Sequence, residues 1–331
     1  MTTRLRHIAE RVGVSEATVS RVVNNRPGVA DETRTKVLAA LEEVRYQPGV
    51  RRADRAGLVG LLIPELSNPI FPRFAQVFTG LLAAQRFTTV LCTATIDGVS
   101  EDEYIDMLLD HGMGGLVVVS GANADTLADH GLYERLAGLR LPMVFLNGAI
   151  TGIEAPVVST DDVDAAAIAV RHLVELGHTQ IGCIVGPRRY SPVQRRLVGY
   201  RRAIEAAGLH PYIADSTFTV EGGAAASAEL LAAGVTGIVA ASDLMALGVI
   251  RETRARGMSV PHDVSVVGFD DNVLLPFTDP PLTSVRQPLE AMCLAAVTSL
   301  IEQIAGREVS CRELEFRGEL VVRGSTASRR A

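Results

Sequence analysis

The stretch RHIAERVGVSEATVSRVVN, residues 6–24, decides how the start of this chain is read. Ile8, Ala9 and Val12 fall at helical spacing, Gly13-Val14-Ser15 interrupts the period, and Ala17, Thr18, Val19, Val22 and Val23 resume it. Two short helices joined by so tight a turn make a helix-turn-helix. Gly13 suits the positive φ that the turn demands. Ser15 can accept a hydrogen bond from first-turn N–H groups, so the second helix should begin at Glu16. In this motif the second helix enters a DNA major groove N-terminal end first, which places Glu16, Ala17 and Arg21 against base edges and Thr18 and Ser20 near phosphates. Arg4, Ser15, Asn24 and Asn25 complete the expected head surface. A third pattern, Asp31 to Val44, carries Val37, Leu38, Leu41 and Val44 on one face and closes a three-helix core. Any amphipathic surface helix buries a similar stripe, but three matched elements in order are far more specific than one.

Charge divides along the same line. Residues 1–55 carry eleven Arg and Lys against seven Asp and Glu, a net of +4, which leaves −10 for the remainder of a chain whose total is −6. A basic head on an acidic body fits a polyanion-binding module joined to one with another task.

The 331 residues are enough for two or three domains with their own cores, and 47% hydrophobic content is ordinary for a soluble globular protein. Apolar runs such as LVGLLIP are far below the roughly 20 residues of a membrane span, and the Arg-bearing start has no signal-peptide core. No membrane partner and a cytoplasmic location are therefore expected. Cys92, Cys183, Cys293 and Cys311 lie singly, with no CxxC pair and no nearby His cluster. They are expected as small core residues, with neither disulfide, metal nor cofactor.

After the polar, Arg-rich joint PGVRRADRAG (48–57), short β-rich apolar runs alternate with helical periods in two successive series. The first runs from LVGLLIP to PMVFLN and the second from AAIAVRHLVELG to VSVVGF. Such alternation predicts an α/β fold with parallel sheets covered on both faces. Ligands in doubly wound sheets sit beyond the carboxyl ends of the strands. The loops there carry Ser67, Asn68 and Phe71, then Asn147, Ser242-Asp243 and Asp270, with Arg196 in the loop-to-helix segment SPVQRRLVGY. A helix cap or a turn would explain any one of them, but their convergence at strand ends points to a binding cleft.

These residues identify a resemblance to the lactose-repressor/galactose-repressor (LacI/GalR) family of bacterial transcription regulators. It runs end to end through IAERVGVSEATVSRVVNN, ETRTKVLAALEEVRYQP, IPELSNPIF, RRLVGY, ASDLMALGVI, VPHDVSVVGFDD, PPLTSVRQP and LVVRGST. The resemblance implies a helix-turn-helix head at 1–48, a hinge at 49–57, and a periplasmic-binding-protein-like body at 58–331 made of two Rossmann-like subdomains. Their expected limits are 58–160 with 288–312, and 161–287 with 313–325. It further implies an effector site between them formed by Asn68, Phe71, Asn147, Arg196, Phe218, Ser242, Asp270 and Gln287. In a sugar site Arg196 and Asp270 would bind vicinal hydroxyls, and Phe218 or Phe71 would offer an apolar face. Ser242 stands where the family more often has Asn, and Asn147 where it commonly has Asp. In the hinge, Gly49 replaces a usual Asn and Arg55 falls at the position of a Leu that wedges into the minor groove. Arg51, Arg52 and Arg55 can instead meet phosphates or a narrow minor groove.

The expected protein is a homodimeric repressor that reads a palindromic operator under the control of a small, sugar-like effector. An enzyme or a solute-binding protein on the same body is the alternative. Against the enzyme, no GxGxxG follows a strand, no GxSxG elbow occurs, and the single lysine, Lys36, lies in the head. His111, His172 and His178 fall in helical periods or near helix ends, as capping or surface residues do. Against the solute-binding protein stand the head and the missing signal peptide.

Overall fold

The protein is described here by a computed structural model covering residues 9, 11–23, 26–43, 57–93 and 100–329. The chain divides into two units, residues 1–56 and 57–331.

In the first unit, residues 9 and 11–12 are helical, and Gly13 makes the turn at φ +73°. Helix α1 (Glu16–Val23) and helix α2 (Asp31–Glu43) follow. Ser15 caps α1 as expected, its Oγ accepting from the Thr18 N–H at 3.2 Å. The core is small, with Ala9, Val19, Val22, Val37 and Ala40 buried. Leu38 is a correction, because it lies on the exposed side of α2 while Ala40, one turn on from Val37, takes the inward position.

The second unit holds two six-stranded sheets. The first has the order β11-β5-β4-β3-β1-β2, built from β1 (Gly57–Ile63), β2 (Phe87–Thr93), β3 (Met113–Val119), β4 (Met143–Leu146), β5 (Val157–Thr160) and β11 (Glu313–Phe316). The second repeats that order as β12-β10-β9-β8-β6-β7, from β6 (Ile181–Val185), β7 (Tyr212–Asp215), β8 (Gly237–Ala240), β9 (Ser265–Phe269), β10 (Thr283–Arg286) and β12 (Glu319–Val321). All pairings are parallel except β10 with β12. Because helices cover both faces, the strands read as continuous apolar runs. β9 is buried at all five positions.

On one face of the first sheet Phe74, Phe78 and Leu82 of α3 (Ile70–Ala84) pack with Leu289, Met292 and Leu300 of α10 (Leu289–Ile304). On the other face lie Ile105 and Leu108 of α4 (Glu101–Asp110) and Leu132, Tyr133 and Leu136 of α5 (Gly131–Gly138). The second sheet is sandwiched between α6 (Asp162–Glu175) with α7 (Ser191–Ala206), and α8 (Val220–Ala232) with α9 (Asp243–Ala255).

The chain crosses between the halves three times, after β5, after β10, and at Arg317-Gly318. The last crossing corrects the boundary expected before Glu313. Residues 313–316 pair in parallel with Val157–Thr160 and therefore belong to the first half. Cys92, Cys183 and Cys293 are buried as expected, whereas Cys311 is exposed. His178 is neither a cap nor a surface residue. It is buried, its ring within 3.0 Å of Thr236 Oγ1 and Ser265 Oγ and 3.2 Å of the Ala327 carbonyl, so it fastens residues 325–327 to the second half. Burial holds its pKa below the ordinary histidine value. Among the described residues no helix is long and apolar enough to cross a membrane.

Helices α6 and α7 approach closely because Gly199 faces the backbone of Val163, where an added Cβ would stand 2.1 Å from the Val163 carbonyl oxygen. Gly199→Ala should therefore lower the unfolding free energy by about 2 kcal/mol or more, read from denaturant melts. A variant as stable as the parent would show that the two helices separate without cost.

Candidate functional site

Between the halves lies a cavity of about 160 Å³ lined from the carboxyl ends of strands in both sheets. The first half contributes Glu65, Asn68 and Phe71 after β1, Ser120 after β3 and Asn147 after β4. The second contributes Tyr190 after β6, Arg196 on α7, Phe218 after β7, Ser242 after β8 and Asp270 after β9, with Gln287 at the second crossing. All eight residues expected at the effector site thus line one cavity. Ser67, which the strand-end reading also picked out, is absent from the lining.

Three lining residues hold backbone conformations that L side chains rarely adopt: Ser120 at φ +52°, Asn147 at +61° and Asp270 at +109°. Strain of this kind persists only where surroundings over-determine it, and it gathers at binding sites. Asn147 gives its amide N–H to Ser120 Oγ at 2.9 Å, while its Oδ1 is buried with no hydrogen-bond partner. A buried acceptor left unmatched costs free energy that an incoming donor recovers.

Arg196 is less available than the sequence suggests. Its Nε donates to Asp162 at 2.8 Å, its Nη1 to the Ala241 carbonyl at 2.7 Å, and its guanidinium lies 3.5 Å from the Phe269 ring centroid. Asp162, the first residue of α6 and almost fully buried, also binds Arg195 at 3.0 Å. The cation is therefore neutralised from behind, and the plane it presents is fixed.

Asp270 sits at the end of β9 and accepts from Gln287 Nε2 at 2.6 Å, while Gln287 Oε1 accepts from Thr160 Oγ1 at 2.9 Å. Gln287 thus joins a strand end of each sheet and positions Asp270. Burial pushes the Asp270 carboxyl up to about 7, against the opposing pull of Arg196. Asp243 is raised well above the ordinary carboxylate value too, by burial first and then by the Asp270 charge. Asp243 is structural, accepting from Asn272 N at 2.8 Å and Ser284 Oγ at 2.6 Å. Ser242 caps α9 through Met245 N at 3.3 Å, and Asn68 Oδ1 accepts from Ile70 N at 3.3 Å. The cap reading suggested for Asp243 thus belongs to its neighbour Ser242.

The tip of the Phe218 ring lies against Gly186, where a Cβ would come 2.3 Å from it, and Tyr190 flanks the ring with centroids 6.4 Å apart at a 58° tilt. Glu65, Ser120 and Tyr190 were missed by the sequence reading. Each occupies the strand-end position that located the others, so Ser120 after GLVVVS and Tyr190 beyond IGCIVG were within reach of the same rule.

In the first unit the expected reading helix is α1. Ala17 and Arg21 are exposed, and Glu16, Thr18 and Ser20 are partly so. Ser15 Oγ and Thr18 Oγ1 lie 2.9 Å apart at its start. Arg4, Asn24, Asn25, Arg51, Arg52 and Arg55 lie outside the described residues, as does the hinge up to residue 56. No group of His, Cys, Asp and Glu among the described residues is arranged to hold a metal ion.

Comparison with known proteins covers both units. Residues 4–49 match the family model for bacterial regulatory proteins of the lacI family, and residues 170–326 match the periplasmic binding protein-like domain. The chain is 52% identical to the HTH-type transcriptional regulator reg1 of Streptomyces lividans, over 99% of this chain and 98% of that one. It is 51% identical, with the same coverage, to the HTH-type transcriptional regulator MalR of Streptomyces coelicolor. Among solved structures, a complex of the transcriptional regulator CelR with cellobiose superposes with TM-score 0.73 at 32% identity, covering 97% of this chain and 99% of that one. The lac repressor dimer bound to operator and an anti-inducer also gives 0.73, at 26% identity, covering 97% and 98%.

A carboxyl raised on folding stabilises the folded state fully only below its unfolded value. Asp270 should therefore subtract stability progressively as pH rises from about 4 to about 7. Asp270→Asn, which tolerates positive φ, should flatten the decline of melting temperature across that window. An unchanged slope in the variant would show that Asp270 ionises normally.

Proposed function

Since the chain belongs to the LacI family of bacterial regulatory proteins and is a DNA-binding transcription regulator under ligand control, not an enzyme, we propose that its effector is a neutral, polyhydroxylated molecule of the sugar class. The observation that carries this reading is the unmatched Asn147 Oδ1, an acceptor awaiting a donor in a cavity whose charged lining groups are Glu65, Asp270 and an Arg196 already paired with Asp162. Hydroxyls supply donors to Asn147, Asp270 and Glu65 and acceptors to the Arg196 face. The Phe218–Tyr190 pair and Phe71 supply apolar surface for the C–H face of a ring. A phosphate ester would meet carboxylates with no uncommitted cation to offset them, and the N-termini of α6 and α9 already hold Asp162 and Asp243.

The head then reads a palindromic operator as a homodimer, with Glu16, Ala17 and Arg21 facing bases, Ser15, Thr18 and Ser20 facing backbone, and Arg4, Asn24, Asn25, Arg51, Arg52 and Arg55 as further contacts. Effector binding in Asn68, Phe71, Asn147, Arg196, Phe218, Ser242, Asp270 and Gln287 shifts the balance between two arrangements of the halves, and linkage carries that shift to operator affinity. A repressor working on chromosomal DNA places the protein in the cytoplasm.

A thermal-shift series with cellobiose, maltose and ribose against glucose 6-phosphate and adenine tests the effector class. A neutral sugar should raise the melting temperature in proportion to the logarithm of its concentration. Stabilisation by the phosphate ester alone would overturn the reading. On DNA, Arg21→Ala should relax preference at one operator position at a cost of about 1–3 kcal/mol, whereas Arg51→Ala should weaken all sequences alike and flatten the salt slope. Equal losses on every sequence from both would remove Arg21 from the base-reading set.

A further inference from the structure

Outside the three covalent crossings, the halves meet again at the rim of the cavity. The turn at 121–126, following β3, touches the loop at 187–190, following β6. Asp125 and Tyr190 form an isolated antiparallel bridge. Thr126 donates to the Arg189 carbonyl twice, from its backbone N–H at 2.9 Å and from Oγ1 at 2.8 Å. Arg189 Nε lies 2.8 Å from Asp125 Oδ2.

Each partner is braced to its own half. Asn123 pins the first turn, accepting from Gly121 N at 3.0 Å and donating to the Leu146 and Gly148 carbonyls, both at 2.9 Å. Arg188 grips Asp215 at 2.6 and 2.7 Å, and Gln194 donates to the Arg188 carbonyl at 2.8 Å, fixing the second loop. Two rigid pieces thus meet through a few bonds, and the ion pair among them leaves Arg189 about half exposed, with side-chain exposures of 48% and 15%. Such a contact is weak enough to open and close. Tyr190 belongs to both the bridge and the cavity wall, so whatever touches its ring inside also bears on the bridge.

We propose that the 121–126 turn and the 187–190 loop form a clasp at the rim of the cavity that holds the halves together there, so that the effector exchanges more slowly while the Asp125–Tyr190 bridge and its Arg189 pair are made. The inference rests on reading the cavity as the effector site. The clasp sets the exchange rate of the effector, and contact with Tyr190 favours the fastened state.

A test on the full chain needs no effector. The S120C variant places a thiol in the cavity wall, and native Cys311 supplies an exposed thiol for reference. With N-ethylmaleimide, the S120C thiol should react far more slowly than Cys311. Adding Asp125→Ala or Arg189→Ala should speed the S120C thiol roughly five-fold and leave Cys311 unchanged, the shift that loss of one exposed ion pair can exert. Hydrogen exchange gives a second measurement without the cysteine: the Thr126 amide should be protected in the parent and exchange faster in both variants. Equal S120C rates with and without the substitutions, or a Thr126 amide indifferent to them, would overturn the clasp. Thermal shifts with sugars report separately on the effector reading. A clasp that gates a cavity binding no sugar and an open cavity that binds one are therefore distinct results.

Discussion

The arrangement depends on the Asp162 carboxylate. It stands at the second residue after the chain leaves the first sheet, almost wholly buried, and holds both Arg195 and Arg196. Arg195 reaches on to the Asn147 carbonyl at 3.4 Å and Glu313 at 3.5 Å in the other half, and Arg196, itself in the cavity wall, is turned onto the Phe269 ring. One buried anion therefore anchors a crossing, ties the halves and orients the cation facing the ligand. Removing one partner of such a buried pair costs about 3–5 kcal/mol, because the other charge is left stranded.

Much of this was legible in the sequence, and the reasons are particular. LVGLLIP and VSVVGF read as buried strands because strands covered on both faces are apolar throughout, and the residues that follow them fell in the cavity as the doubly wound rule requires. Ser15 announced its cap and Gly13 its turn. Other elements left no periodic mark. β5 and β7 are four residues each, β11 is ELEF with its first three residues exposed, and α10 is apolar around most of its circumference, so no single stripe stands out. The third crossing was misplaced because nothing local distinguishes β11 from β12: both begin with Glu-Leu, and only partner choice across some 150 residues of chain separates them.

The site shows the same division. Residue types and strand ends gave the lining, but commitments between neighbours were invisible. Arg196 is a bidentate donor by type, yet Asp162 and the Ala241 carbonyl occupy two of its nitrogens. Gln287 carries an amide suited to a ligand, yet both its ends serve Thr160 and Asp270. Ser242 caps a helix while lining the cavity. The ligand-facing surface is accordingly narrower than the residue roll implies, and the unmatched Asn147 oxygen at a strained strand end is its most specific feature.

The three crossings also bear on how the molecule is made. The first sheet is missing its covering helix α10 and its edge strand β11 until β6 to β10 of the second half have left the ribosome. Until then Phe74, Phe78 and Leu82 lack the Leu289, Met292 and Leu300 surface that packs beside them. At ordinary translation speeds that interval is on the order of ten seconds, long enough for an exposed apolar face to find a wrong partner. The nascent chain should therefore depend on chaperone protection more than either sheet would if its sequence were contiguous.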